Sequence, residues 1–109
     1  MQKILFICSQ NKLRSPTAEQ IFSAAPGLDV LSAGTNNDAV TPLTSELVEW
    51  ADKIFVMENM HREKLRKRFR SSLNGKKIIC LGIPDDFSYM DPELIAILKK
   101  KVTPFLLIR

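Results

Sequence analysis

The chain has 109 residues, with 45% hydrophobic residues, two cysteines and a net charge of +4, the profile of one compact domain over residues 1–109. Folding at this length buries roughly two-thirds of the unfolded surface, enough for a core without disulfide or metal staples, and no apolar run approaches the roughly 18 residues needed to cross a membrane. No charged start leads into an apolar run with a small-residue cleavage site, so a secretory signal is not expected; in a reducing cytoplasm the two cysteines read as thiols.

Short β-rich runs alternate with helical patterns along the chain, the rhythm of an α/β domain. Lys3–Cys8 (KILFIC) is nearly continuous in apolar residues, as a central parallel strand covered on both faces requires. Ser15-Pro16 opens a helix with Ala18, Ile21, Phe22 and Ala25 on one stripe, ended by Pro26-Gly27. Asp29–Ala33 is a second strand, stopped by Gly34. Thr41-Pro42 begins a helix whose Leu43, Leu47, Trp50 and Ala51 share a face, and Lys53–Met57 makes the third strand.

Residues 61–70 (HREKLRKRFR) carry +5, leaving −1 for the rest of the chain. His61, Leu65 and Phe69 recur every four residues, which predicts one amphipathic helix with its charges on the solvated face and His61 without an assigned role. Asn74-Gly75 closes that unit and Lys77–Leu81 gives the fourth strand. Asp91-Pro92 then opens a last helix carrying Leu94, Ile97, Leu98 and Val102, with Pro104 at its end. The expected fold is a three-layer α/β/α sandwich around a four-stranded parallel sheet. Ligands of such sheets bind beyond the carboxyl ends of the strands, which selects the loops at residues 8–14, 33–35, 57–60 and 82–87.

Cys8-Ser9-Gln10-Asn11-Lys12-Leu13-Arg14-Ser15 places a thiol and a guanidinium at the two ends of one turn between a buried strand and a helix start. Inward amides of Ser9–Arg14, the positive end of the helix and the fork of Arg14 together make a cradle for a tetrahedral oxyanion. The same field favours a thiolate, making Cys8 a nucleophile, with Ser15 placed to donate to the sulfur.

These residues resemble the low-molecular-weight protein tyrosine phosphatases, whose signature is a cysteine, five residues, then Arg-Ser-Pro. The likeness extends to Pro16-Thr17-Ala18-Glu19, to Ser32-Ala33-Gly34-Thr35 and to the segment Ala51–Met57 (ADKIFVM). The resemblance implies that Cys8 is the nucleophile, Arg14 the phosphate clamp, Ser15 the thiolate donor, and Asn11 the loop residue held in shape by Ser32. It also implies a general acid on a late loop, in an Asp-Pro-aromatic motif. Pro84-Asp85-Asp86-Phe87 aligns Asp85 with that acid, leaving Asp86 as the alternative, while Asp91-Pro92 reads as a helix cap.

Three departures stand out against the family. Gln10 replaces a loop glycine, Lys12 adds a charge, and Leu13 occupies the place where many members have a second, protective cysteine. The stretch from Gly34 to Ala51 is also shorter, which removes part of the substrate wall. The implied reaction is hydrolysis of a phosphorylated protein or a small phosphomonoester through a phosphocysteine, without a cofactor or metal. Phosphotyrosine is the first expectation for substrate, with Tyr89, Phe87 and Trp50 as aromatic neighbours, Trp50 fitting the core better. Two alternatives use other residues. An arsenate reductase of the same fold would need Cys80 as a relay thiol, and an RNA- or anion-binding module would use the basic helix through Arg66, Lys67 and Arg68.

Overall fold

In the computed structural model, which describes residues 1–106, the first apolar run forms β1 (Gln2–Cys8), buried from Ile4 onward. A strand with apolar side chains on both faces satisfies them only between two layers, and β1 takes an inner position in a sheet ordered β2-β1-β3-β4. Its neighbours are β2 (Leu28–Gly34) and β3 (Lys53–Val56), and β4 (Ile78–Cys80) closes the far edge; every pairing is parallel. The expected four-stranded parallel sheet is therefore the one observed.

Alternation along the strands divides the core in two. Ile4, Phe6, Cys8, Phe55, Met57 and Ile79 face α1 (Arg14–Phe22) and α5 (Pro92–Val102), from which Ala18, Phe22, Leu94, Leu98 and Val102 are buried. Leu5, Ile7, Ile54 and Val56 face the other helical layer, α2 (Ser45–Trp50), α3 (Asn59–Arg68) and α4 (Arg70–Leu73), which contributes Val48, Leu65 and Leu73. Phe6 stacks between Phe22 and Phe55 at ring-centroid distances of 5.6 and 5.3 Å. Each such fully buried side chain contributes about 2 kcal/mol through water exclusion.

Several boundaries differ from the sequence expectation. The helix expected from Thr41-Pro42 starts at Ser45, capped by the Thr44 hydroxyl, which accepts the Leu47 N–H at 3.2 Å. Residues 41–43 instead run beside the end of β2 and satisfy its backbone: the Gly34 N–H donates to the Thr41 carbonyl and its carbonyl accepts from Leu43. The buried residue of α2 is Val48, outside the expected stripe, while Leu47 and Trp50 pack at the margin of the core. The single basic helix is two, because Phe69 (φ −127°, ψ 31°) breaks the helical path while its ring packs on the core. Asn74 and Gly75, both at positive φ, turn the chain toward β4. Asp91 caps α5, accepting the Glu93 N–H at 2.9 Å, and Pro104 lies in a 3₁₀ turn, Thr103–Phe105, that ends it.

The connections after β1 and β3 leave to opposite layers, α1 on one side and α3 on the other. That reversal opens a crevice beyond the carboxyl ends of these adjacent strands. Among the described residues no helix is long and apolar enough to cross a membrane.

Candidate active site

The loop from Cys8 to Arg14 sits at this crevice. Asn11 adopts a left-handed conformation (φ 58°), which curls the loop so that its own N–H points back at the Cys8 sulfur, 3.3 Å away. The N–H groups of Gln10, Lys12 and Leu13 donate to no other group among the described residues. Helix α1 begins with neither a side-chain cap nor an acidic residue in its first turn. Its positive end is therefore left for an anion.

A chain of side chains fixes the proton on Ser15. Ser32 donates to a Glu19 carboxylate oxygen at 2.5 Å, so its own oxygen is free to accept from the Asn11 amide at 2.9 Å. The second Asn11 amide proton goes to the Ser15 hydroxyl oxygen, also at 2.9 Å. Ser15 thus has its hydrogen available for Cys8, whose sulfur lies 2.9 Å from the hydroxyl. A hydroxyl aimed at a sulfur stabilises negative charge there.

Arg14 is 2% exposed, and a buried guanidinium must be paired. Its Nη1 donates to Glu58 at 2.9 Å and to the Ile83 carbonyl at 2.8 Å. Both of these hydrogen bonds fall on Nη1, and Arg14 lines a cavity of about 120 Å³ together with Cys8, Ser9, Gln10, Lys12, Leu13 and Asp85. Asp85, mostly exposed, stands 3.6 Å from Nε. Asp86 does not line this cavity, and Asp91 serves α5.

Gly34 brings the end of β2 against this loop. A Cβ there would stand 2.5 Å from the Ser9 carbonyl oxygen and 2.6 Å from the Ala39 Cβ, so no other residue fits without moving the loop. The approach is sealed by the N–H groups of Thr35 and Asn36, which donate to the Cys8 and Ser9 carbonyls at 2.9 and 3.0 Å.

His61, left without a role by the sequence, supports the loop from the other layer. It is fully buried, and its Nδ1 accepts the Glu58 N–H at 3.1 Å while Glu58 accepts in return from the first turn of α3. The neutral ring then carries its proton on Nε2, which donates to the Ser9 hydroxyl at 2.9 Å. Burial, followed by the nearby cations Arg14 and Lys64, pushes the His61 pKa down to about 4, against a smaller opposing effect of Asp85.

The structure thus brings Cys8, Ser9, Gln10, Lys12, Leu13, Arg14 and Asp85 around one cavity, with Asn11, Ser15 and Ser32 behind it. Glu58, His61 and the Ile83 carbonyl are additions. The E-x-x-H spacing of Glu58 and His61, in a loop already selected as a strand end, was the available signal. None of the expected aromatic neighbours lines the cavity: Phe87 packs on one core, Trp50 on the other, and Tyr89 lines a separate polar hollow with Asn11 and Ser32.

Comparison with known proteins follows the same lines. Residues 3–49 match the family model described as low molecular weight phosphotyrosine protein phosphatase. No curated protein matches the sequence. Among solved structures, the chain is similar to SP-PTP, a low molecular weight protein tyrosine phosphatase from Streptococcus pyogenes (TM-score 0.79, 17% identity, 97% of this chain and 94% of that one). It is similar to the tyrosine phosphatase Wzb from Escherichia coli K30, in complex with phosphate (0.76, 22%, 95% of each). It also resembles the arginine phosphatase YwlE from Geobacillus stearothermophilus (0.76, 21%, 96% and 93%). The fold is shared over nearly the whole chain, and the sequence match extends over residues 3–49. The resemblance read from the sequence is met by the family model over residues 3–49 and by the fold of these phosphatases over nearly the whole chain.

Proposed function

From that resemblance, we propose that the chain is a cysteine-dependent phosphomonoester hydrolase, acting as a protein tyrosine phosphatase. The observation that carries this reading is one cavity lined by Cys8, Arg14 and Asp85 together. The Cys8 thiolate attacks phosphorus in line, forming an S–P bond as the bond to the leaving oxygen breaks. Arg14 and the loop amides hold the non-bridging oxygens, and Asp85 gives its proton to the leaving oxygen. Water then attacks the phosphocysteine and gives its proton to the Asp85 carboxylate; the sulfur leaves as a thiolate, stabilised by Ser15, and inorganic phosphate is released.

Asp85 is preferred to Asp86 because it alone of the two lines the cavity. Leu13, exposed on the rim, offers apolar surface to an aromatic leaving group. The arsenate reductase alternative has little support: Cys80 packs toward the core on the face of the sheet opposite Cys8, across the intervening strand β3, too far for a disulfide relay without rearrangement. A phosphorylated protein is the proposed partner, and the reducing cytoplasm suits a reaction that depends on a free thiol.

Hydrolysis of an aryl phosphate tests the proposal. Cys8→Ser abolishes turnover, and Asp85→Asn lowers kcat about a hundredfold while Asp86→Asn does not. A fully active Cys8→Ser enzyme would overturn the mechanism; loss on Asp86→Asn alone would move the acid. Faster turnover of phosphoarginine than of phosphotyrosine would change the substrate assignment and leave the chemistry intact.

A further inference from the structure

A second, larger concavity of about 360 Å³ adjoins the cradle, lined by Thr35, Asn37, Lys64, Lys67 and Arg68. Its floor is bonded to the nucleophile loop itself, since the Thr35 and Asn36 N–H groups donate to the Cys8 and Ser9 carbonyls. Lys64 lies one helical turn from His61, the residue that holds Ser9.

The groove is positive and unneutralised. Among the described residues, no carboxylate lies within ion-pair distance of Lys64, Lys67 or Arg68. Arg68 is pre-positioned, donating to the Thr35 carbonyl at 2.6 Å with its guanidinium 5.1 Å from the Phe69 ring centre. The Thr35 hydroxyl, on a residue only 3% exposed, has no hydrogen-bond partner, an unusual condition for a buried polar group. Cations gathered in a concavity next to a phosphate cradle match a ligand that carries further negative charge.

We propose that this groove is a subsite for acidic side chains flanking the phosphorylated residue of a peptide substrate. The inference rests on the phosphatase reading above and specifies its substrate class. Acidic residues two or three positions away reach about 7–10 Å along an extended chain, and direct bonding of the groove floor to Cys8 and Ser9 keeps it close to the cradle. Nucleic acid fits less well, because the cations of α3 do not share one face: Arg62 turns to the Ile78 carbonyl, and Arg66 does not line the groove.

The test compares kcat/KM for an aryl phosphate, a phosphotyrosine peptide flanked by Asp and Glu, and one flanked by Ala and Gln, in wild type and in the double variant Lys64→Gln/Lys67→Gln. Wild type favours the acidic peptide about tenfold at low salt, and the variant reduces that preference to near parity. Aryl phosphate turnover stays within about twofold. Equal use of the two peptides by wild type, retention of the preference in the variant, or loss of aryl phosphate turnover in proportion would each overturn the subsite. If wild type hydrolyses none of these substrates, the phosphatase reading fails. The subsite is then read by NMR titration of the acidic phosphopeptide, which shifts Thr35, Asn37 and Lys64 amides if it is correct and leaves them unmoved if it is not. Tighter, length-dependent binding of single-stranded RNA at the same residues would replace the acidic peptide and overturn the proposal.

Discussion

Arg14 and Glu58 form an ion pair 2.9 Å long in which the guanidinium is almost wholly buried and the carboxylate about a quarter exposed. Glu58 comes from the loop after β3, Arg14 from the start of α1 beyond the loop after β1, and the Ile83 carbonyl completes the arrangement from the loop after β4. Because both bonds fall on Nη1, the arginine is held from behind, which leaves its other edge for an oxyanion.

Glu58→Ala therefore frees the guanidinium and strips its compensating charge. Stability falls by about 1–3 kcal/mol, discounted for the carboxylate's partial exposure, and kcat/KM for an aryl phosphate falls roughly tenfold to a hundredfold. Glu58→Gln, which can still accept the hydrogen bond, loses less of both. Urea denaturation and steady-state kinetics on the two variants check this, and equal losses would show that charge alone matters.

Gly34→Ala introduces a Cβ 2.5 Å from the Ser9 carbonyl oxygen. Relief requires displacement of the nucleophile loop, because the other near neighbours are the Ala39 side chain and the Asn11 backbone. A destabilisation of about 1–3 kcal/mol is expected, accompanied by a larger proportional loss of activity than the stability loss explains. Activity measured well below the melting temperature separates the two effects.

The relay ending at the Cys8 sulfur predicts a kinetic asymmetry. Ser15→Ala removes the hydroxyl 2.9 Å from the sulfur, which matters most when the sulfur leaves phosphorus. Breakdown of the phosphocysteine slows about tenfold to a hundredfold, so a rapid-quench experiment shows a burst of phenol release followed by slow turnover. Ser32→Ala, two hydrogen bonds further out, has the same signature at smaller amplitude.

His61 predicts a pH dependence of stability. Its folded-state pKa of about 4 lies below the ordinary histidine value of 6.5, so between these values the unfolded chain binds the proton and the folded chain does not. Stability is fully present above about pH 6.5 and declines as pH falls toward 4, by up to ~3 kcal/mol. The slope of denaturation free energy against pH between 4 and 6.5 flattens in His61→Gln, if that variant keeps the hydrogen bond to Ser9. An unchanged slope would assign the acid lability to carboxylates.

Much of this was legible in the residues. The apolar run before Cys8 predicts a buried central strand, and Ser-Pro after Arg14 predicts a helix start; together they put a thiol and a guanidinium across one turn, where the structure has them. The basic segment read as one solvated helix face misled, because periodicity does not reveal where a partly buried aromatic such as Phe69 interrupts the helix or which loop a lysine will face.

The sequence alone determined the strand and helix segments, the turn from Cys8 to Arg14 and the apolar stripes of α1 and α5, since these depend on neighbours within a few residues. The tertiary structure decided which partners complete the turn. Glu58 and Ile83 reach Arg14 from 44 and 69 residues away, and His61 reaches Ser9 from 52. Those distances close only because β1 lies beside β3 and their connections leave to opposite layers. No local pattern records that arrangement, because it follows from how whole strands order themselves to bury both faces of the sheet.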